Sequence, residues 1–253
     1  MKKMLALVLA AVMAFSMAAC GGNNANKQPS SSEDSTYEDV LGEDSSGSAT
    51  AATGVTVQVG PNPETLDPAL NSAIDGANML ITAFEGLLIV DENNQVQPGQ
   101  AESYEVSEDG LTWTFHLREG LKWSDGTDLD ANDFVYTYKR VADPNTAAPY
   151  SATAVGMIAG YEEAMNGNPD ALQVEAPDAL TFVVHLSYPC TYFDKLAAFA
   201  TLSPVQQETI EANGDSWATS PETYVSNGPY YMTDWTVGQQ IVFTKNPYYN
   251  GGW

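Results

Sequence analysis

"DGLTWTFHLREGLKWSDGT", residues 109–127, carries the alternation on which the fold reading turns. Leu111, Trp113, Phe115 and Leu117 take every second place, and Thr112, Thr114, His116 and Arg118 stand between them. Successive side chains of an extended chain point to opposite faces, so one face is apolar and the other wet. The stretch predicts a half-buried strand. Asp109-Gly110 and Asp125-Gly126 are turn dipeptides at its two borders. Just beyond, Asp130 and Asp133 have the spacing of a capping box opening a helix over "DANDFVYTYKRVA". That helix should stop before Asp143-Pro144, because a residue ahead of proline is pushed out of helical geometry.

The pattern continues on both sides. Upstream, "VTVQVG" from Val55 alternates as a strand closed by Pro61 and Pro63. In "DPALNSAIDGANMLITAFEGLLIVD", Asp67 or Ser72 is placed to cap a helix whose apolar positions are Ala77, Leu80, Ile81 and Phe84, and "GLLIVD" reads as a buried strand. Downstream come a strand, "TFVVHLS", a short helix, "YFDKLAAFA", and a proline-initiated helix ended by glycine, "SPVQQETIEANG". A hairpin, "NGPYYMTDWTVGQQIVFTKNP", turns at Val237-Gly238. Strands and helices alternate without an internal repeat, which gives an α/β or α+β class.

The first twenty residues read as an address. "MKKMLALVLAAVMAFSMAAC" has two lysines, an apolar run from Met4 to Phe15 and small residues before a cysteine, the pattern of a secretory signal peptide over residues 1–19. The run is shorter than the roughly 20 apolar residues that a membrane-spanning helix needs. "MAAC" followed by "GG" resembles the lipobox of bacterial lipoproteins, with Met17 where leucine is commoner, and so implies a lipidated Cys20. The alternative is an ordinary signal peptide cut nearby. Residues 20–54 turn to Asn, Ser, Ala, Thr, Gly and acidic residues with little apolar to bury, the composition of a disordered tether. Such a coil extends about 30–35 Å on the root-mean-square estimate.

Nine Lys and Arg stand against thirty-three Asp and Glu, a net charge of −24. A field of that sign repels phosphate backbones and argues against nucleic acid as a partner. With Cys20 lipidated, Cys190 is left alone and reads as a small buried hydrophobe, so stability must come from the core. No G-x-S-x-G, H-E-x-x-H, P-loop or G-x-G-x-x-G occurs, which removes the common hydrolase, zinc and nucleotide signatures. His116 and His185, the two histidines, each fall on a strand face and read as structural rather than catalytic or metal-ligating. "DLDAND" at 128–133 has calcium-like spacing, but its sixth place is Asp133 where glycine is required and its twelfth is Lys139 where a bidentate Glu is needed. Capping explains it better. No catalytic residue, metal or cofactor is expected.

Several of these segments together carry a resemblance. "TLDP" at 65–68, "FEGL" at 84–87, "AES" at 101–103, "DGLTWTFHLREGLKWSDGT" at 109–127, "DFVYTYKRVADPNTAAPY" at 133–150 and "NGPYYMTDWTVGQQIVFTKNPYY" at 227–249 look like the extracellular solute-binding proteins of family 5. Those are the oligopeptide-, dipeptide- and nickel-binding receptors of bacterial ABC importers. The resemblance covers about Val55 to Trp253. It implies an α/β, type II periplasmic-binding-protein-like fold of two lobes with ligand trapped between them. Residues 55–84 and 203–253 would be an incomplete domain I, residues 85–202 domain II, and the opposing lobe would be missing. Family members continue about as far again beyond "KNPxY", so the chain is expected to be a cut, N-terminal portion. The implied function is capture of oligopeptides or dipeptides by a monomeric lipoprotein, held to the outer face of the cytoplasmic membrane by lipid and serving ABC permease subunits. Alternatives are a family member taking a nickel complex, a sugar or heme, and a structural surface lipoprotein. By resemblance, Ser72, Ala73 and Ile74 meet the ligand main chain and Tyr150 lies near the ligand at the domain II edge. Read without the resemblance, Ser72–Ile74 leads into a helix and Tyr150 belongs to the core.

Overall fold

The "LTWTFHL" stretch folds as the centre of a sheet. In the computed structural model, which describes residues 55–57 and 60–252, strand β4 (Thr112–Leu117) pairs on one side with β3 (Ala101–Val106) and on the other with β6 (Thr181–His185). β5 (Val174–Asp178) closes the far edge, giving an antiparallel sheet of order β3-β4-β6-β5. Trp113, Phe115 and Leu117 are buried in alternation with half-buried neighbours, as the period of two requires. Gly110, with φ of 72°, makes the turn from β3 to β4, and Gly126, with φ of 88°, turns the loop after it.

α2 (Ala131–Ala142) lies on this sheet. Its first turn is closed by the capping box read from sequence: the Asn132 amide donates to Asp130 Oδ1 at 2.7 Å, and the Asp130 amide donates to Asp133 Oδ2 at 2.9 Å. The buried stripe Phe134, Tyr138 and Val141 faces β6, with Phe182 5.8 Å from the Phe134 ring and 5.0 Å from that of Tyr138. Phe193, on α5 (Phe193–Ala197), packs 5.3 Å from the Trp113 ring. Between α2 and β5 the chain makes two short helices, α3 (Ser151–Val155) and α4 (Tyr161–Met165).

The remaining elements lie at the ends of the described region. α1 (Ile74–Ala83) precedes a small ladder of β1 (Leu88–Val90) with β2 (Val96–Pro98); α6 (Gln207–Asn213) precedes the hairpin of β7 (Tyr230–Thr236) and β8 (Gln240–Lys245). Gly238, with φ of 73°, sits in the hairpin turn where sequence placed it. From Thr56 onward the residues form one compact unit.

Three local readings are corrected. Val55 and Val57 form no strand; they are 90% and 68% exposed, and among the described residues no strand edge pairs with them. α1 opens at Ala73 without a side-chain cap, because Asp67 is committed to an ion pair elsewhere and Ser72 lies exposed one residue too early. α6 begins at Gln207 and not at Pro204, since the Val205 amide donates at 3.0 Å to Thr137 Oγ1 of α2 and residues 203–206 are drawn into the core. The signal peptide, Cys20 and the tether lie outside the described residues.

Candidate ligand-facing site

The stretch Ser72-Ala73-Ile74 is presented by a tight turn. Leu70 and Asn71 both donate backbone N–H to the Asp67 carbonyl, at 3.1 and 3.0 Å, which folds the chain back before α1. Asn71 then braces Ala73 by donating from Nδ2 to its carbonyl at 3.1 Å. Ala73 is extended, with φ of −113° and ψ of 148°, and Ile74 is 82% exposed at the first helical position. A short piece of extended, solvent-facing main chain is what a peptide backbone needs as a hydrogen-bonding edge.

What holds this turn is a buried charge pair. Arg140 on α2 grips Asp67 with both guanidinium ends, Nη1 to Oδ1 at 2.9 Å and Nη2 to Oδ2 at 2.5 Å. Trp217 donates its indole N–H to Asp67 Oδ2 at 3.1 Å, and Tyr224 donates its hydroxyl to the Leu66 carbonyl at 3.0 Å. Trp217 and Tyr224 are themselves stacked at 5.7 Å, and Phe84 meets both edge-on. Burial raises the Tyr224 hydroxyl well above the usual phenol value, with the Asp67 charge pushing the same way, so it stays a donor. Burial works against the Arg140 charge, but the hydrogen bonds and charge of Asp67 outweigh it and raise the guanidinium above its ordinary value.

Tyr150 sits elsewhere, at the entry to α3. Its ring meets Phe199 edge-on at 5.4 Å, leaving it half-buried. Phe199 leads into the single 3₁₀ turn Ala200–Leu202, and that turn packs against α1. Among the described residues no hydrogen bond joins Tyr150 to Ser72–Ile74; Phe199–Leu202 adjoins Tyr150 on one side and α1 on the other.

A second buried node ties three distant motifs. Asn227 of "NGPY" accepts the Glu85 amide at 3.1 Å and donates to the Glu85 carbonyl at 2.8 Å. The Glu85 carboxylate accepts from Gln100 Nε2 at 2.8 Å, from the Gly252 amide at 2.9 Å and from the Tyr249 hydroxyl. Burial raises its pKa, and those three donors together with Arg118 pull it back down. A side chain at Gly252 would come within 2.1 Å of the Pro98 carbonyl oxygen, so the tight passage there requires glycine. The motifs "TLDP" and "FEGL" contain Asp67 and Glu85, but nothing local in them announces partners so distant in sequence.

Cys190 and the two histidines lie away from both nodes in sequence. Cys190 is a free, buried thiol. His185 lies between Thr112 Oγ1 at 3.2 Å and Glu175 Oε1 at 3.4 Å, and His116 is in register with Thr181 of β6. Among the described residues no group of His, Cys, Asp or Glu is placed to hold a metal, and no helix is long and apolar enough to cross a membrane.

Known proteins resemble this chain in sequence and in fold. The family described as bacterial extracellular solute-binding proteins, family 5 Middle, matches residues 95–253. The periplasmic oligopeptide-binding protein OppA of Salmonella typhimurium is 44% identical over 193 residues, which is 75% of this chain and 35% of that protein. A probable deoxycholate-binding periplasmic protein of Escherichia coli, YgiS, is 38% identical over 74% of this chain and 36% of its own. A crystal structure of Haemophilus influenzae OppA complexed with RPPGFSPFR superposes with a TM-score of 0.72 at 38% identity, covering 76% of this chain and 38% of that one. The chain therefore spans about a third of the length of the curated relatives it matches. Its fold is a part of the α/β, two-lobed type II periplasmic-binding-protein fold, and the chain belongs to the family 5 bacterial extracellular solute-binding proteins.

Proposed function

We propose that this chain is part of an exported substrate-binding lipoprotein that captures oligopeptides and delivers them to the permease of an ABC importer. The observation that carries the reading is its 44% identity to an oligopeptide-binding protein. Ser72, Ala73 and Ile74 supply main-chain contacts and Tyr150 an aromatic wall. A receptor for many peptides gains affinity from the backbone and termini that all peptides share, and hydrated side-chain pockets adapt to the rest. We take the protein to be a monomeric binder without catalysis, anchored through lipid on Cys20 to the outer face of the cytoplasmic membrane, with no nucleic-acid partner. Residues 55–84 and 203–253 are assigned to domain I and 85–202 to domain II; the four-stranded sheet, α2, α3, α4 and α5 all fall within the latter span.

A second ligand class has a specific observation behind it. The deoxycholate-binding relative is 38% identical, so a steroid acid competes with peptide as the ligand. Protein isolated under native conditions from its own host, examined by mass spectrometry, is expected to release peptides. Release of steroid acids alone, with no calorimetric response to added tri- to pentapeptides, overturns the peptide assignment.

A further inference from the structure

Where α2 starts, four aspartates face the start of α6. Asp125, Asp128, Asp130 and Asp133 line a cavity of about 480 Å³ with Gln206, Gln207 and Glu208 on its other side. The seam is joined by uncharged donors. Gln206 Nε2 donates to Thr127 Oγ1 at 2.9 Å and to Asp125 Oδ2 at 3.2 Å, and the Val205 amide reaches Thr137 Oγ1, which in turn donates to the Asp133 carbonyl at 2.8 Å. Lys122 pairs with the exposed Asp128. The β5–β6 turn, whose Ala179 carbonyl accepts the Ala131 amide, carries Asp178. Asp133 is half-buried and tied into the capping box, and it lines the cavity together with Asp130 and Glu208.

We propose that the seam between the start of α2 and the start of α6 is a proton-operated joint, which tightens when Asp133 takes up a proton and loosens when that proton leaves. The proton removes a like charge from between Asp130 and Glu208. It leaves Asp133 Oδ2 able to go on accepting from the Asp130 amide, so the cap is kept. Burial is the main cause that pushes the Asp133 carboxyl up, to about 7, with the charges of Asp130 and Glu208 adding to it and hydrogen bonds from the Asp130 amide and Trp123 opposing it. An unfolded chain releases this proton near the ordinary 3.8. Folding therefore takes up a proton between there and about 7, and the stability owed to this group falls as pH rises through that window. The joint stands independently of what ligand the protein takes.

Thermal unfolding of the full chain and of Asp133→Asn across pH 5 to 8 tests this. Asparagine keeps the acceptor for the Asp130 amide and cannot ionise. The variant is expected to gain on the wild type by several degrees at pH 8, with the gap closing toward pH 5. The difference between the two curves is the readout, because every other titrating group is common to both; carboxyls held below their usual range, such as Asp125 and Asp170, are already ionised across this window. Parallel curves overturn the proposal. Should Asp133→Asn not fold, the side-chain carboxyl resonance of Asp133 in the wild type decides: a midpoint near 7 that falls in Glu208→Gln supports the joint, and a midpoint near 4 overturns it. Hydrogen exchange supplies the link to the seam. Protection of the amides at 205–210, corrected for intrinsic rates, should drop as Asp133 ionises, and protection that ignores the titration also overturns the proposal.

Discussion

Asp67 and Trp113 show how differently single residues reveal themselves. Asp67 reads from sequence as a helix cap, because helix starts favour aspartate. Its partner is Arg140, 73 residues away, and no local pattern announces a pair of that separation. The side chains of Asp67 and Arg140 are 3% and 14% exposed, so removing one partner strands a charge. Asp67→Ala is expected to cost about 3–5 kcal/mol in denaturant unfolding, and Asp67→Ala combined with Arg140→Met should recover much of the loss. Additive losses in the double variant would show that the pair is not the source. Trp113 was legible from alternation alone, yet its indole N–H is buried with no hydrogen-bond partner among the described residues. Trp113→Ala should therefore cost about 3–5 kcal/mol for lost packing, while Trp113→Phe stays within about 1.5 kcal/mol because no bond is broken. A loss in Trp113→Phe well above about 1.5 kcal/mol would mean that the N–H does find a partner, such as an ordered water.

Elements were legible where their signal is local. The capping box of α2, the glycine turns at Gly110 and Gly238 and the alternation of β4 are each written within a few residues, and each formed as read. β3 was not read as a separate strand because Glu102–Val106 are all exposed, and exposure without alternation leaves no period to see. β5 contains Pro177, which speaks against a central strand and is tolerated because β5 lies at the sheet edge. The opening strand at Val55 and the start of α6 misled for the opposite reason: the local pattern was present, but tertiary partners decide whether it is used. The site divides in the same way, since Ser72–Ile74 and Tyr150 came from motif likeness while the Asp67 node that supports the turn and the Glu85 node join residues up to 167 positions apart. At this scale Asp130→Ala is expected to destabilise by about 1 kcal/mol, the usual worth of a lost N-cap. Circular dichroism in a urea titration measures it, and an unchanged midpoint would mean that packing of Phe134 and Tyr138 alone fixes the helix start.

For the whole molecule the question is what a chain spanning about a third of its relatives can do by itself. Two consequences of the proposed function separate cleanly. If Cys20 carries lipid, Cys20→Ser expressed in the native host should move the protein from the membrane to the soluble fraction, and an unmoved variant removes the lipid from the account. Ligand capture is the second. A ligand closes a two-lobed receptor only through contacts that the closed state has and the open state lacks, so affinity comes from two walls together. Here Ser72–Ile74 and Tyr150 lie on elements of one part of that fold, and a peptide resting on them alone would keep most of its surface in water. Backbone hydrogen bonds made against water contribute little net, about 0.5–1.5 kcal/mol each, which is small beside the roughly 8 kcal/mol that a micromolar complex requires. Calorimetric titration of residues 20–253 with a mixed tri- to pentapeptide pool is therefore expected to show no saturable binding at micromolar peptide. Micromolar or tighter binding would place the whole site within these residues, with Ser72–Ile74 and Tyr150 as its first candidates, and would remove the need for an opposing lobe.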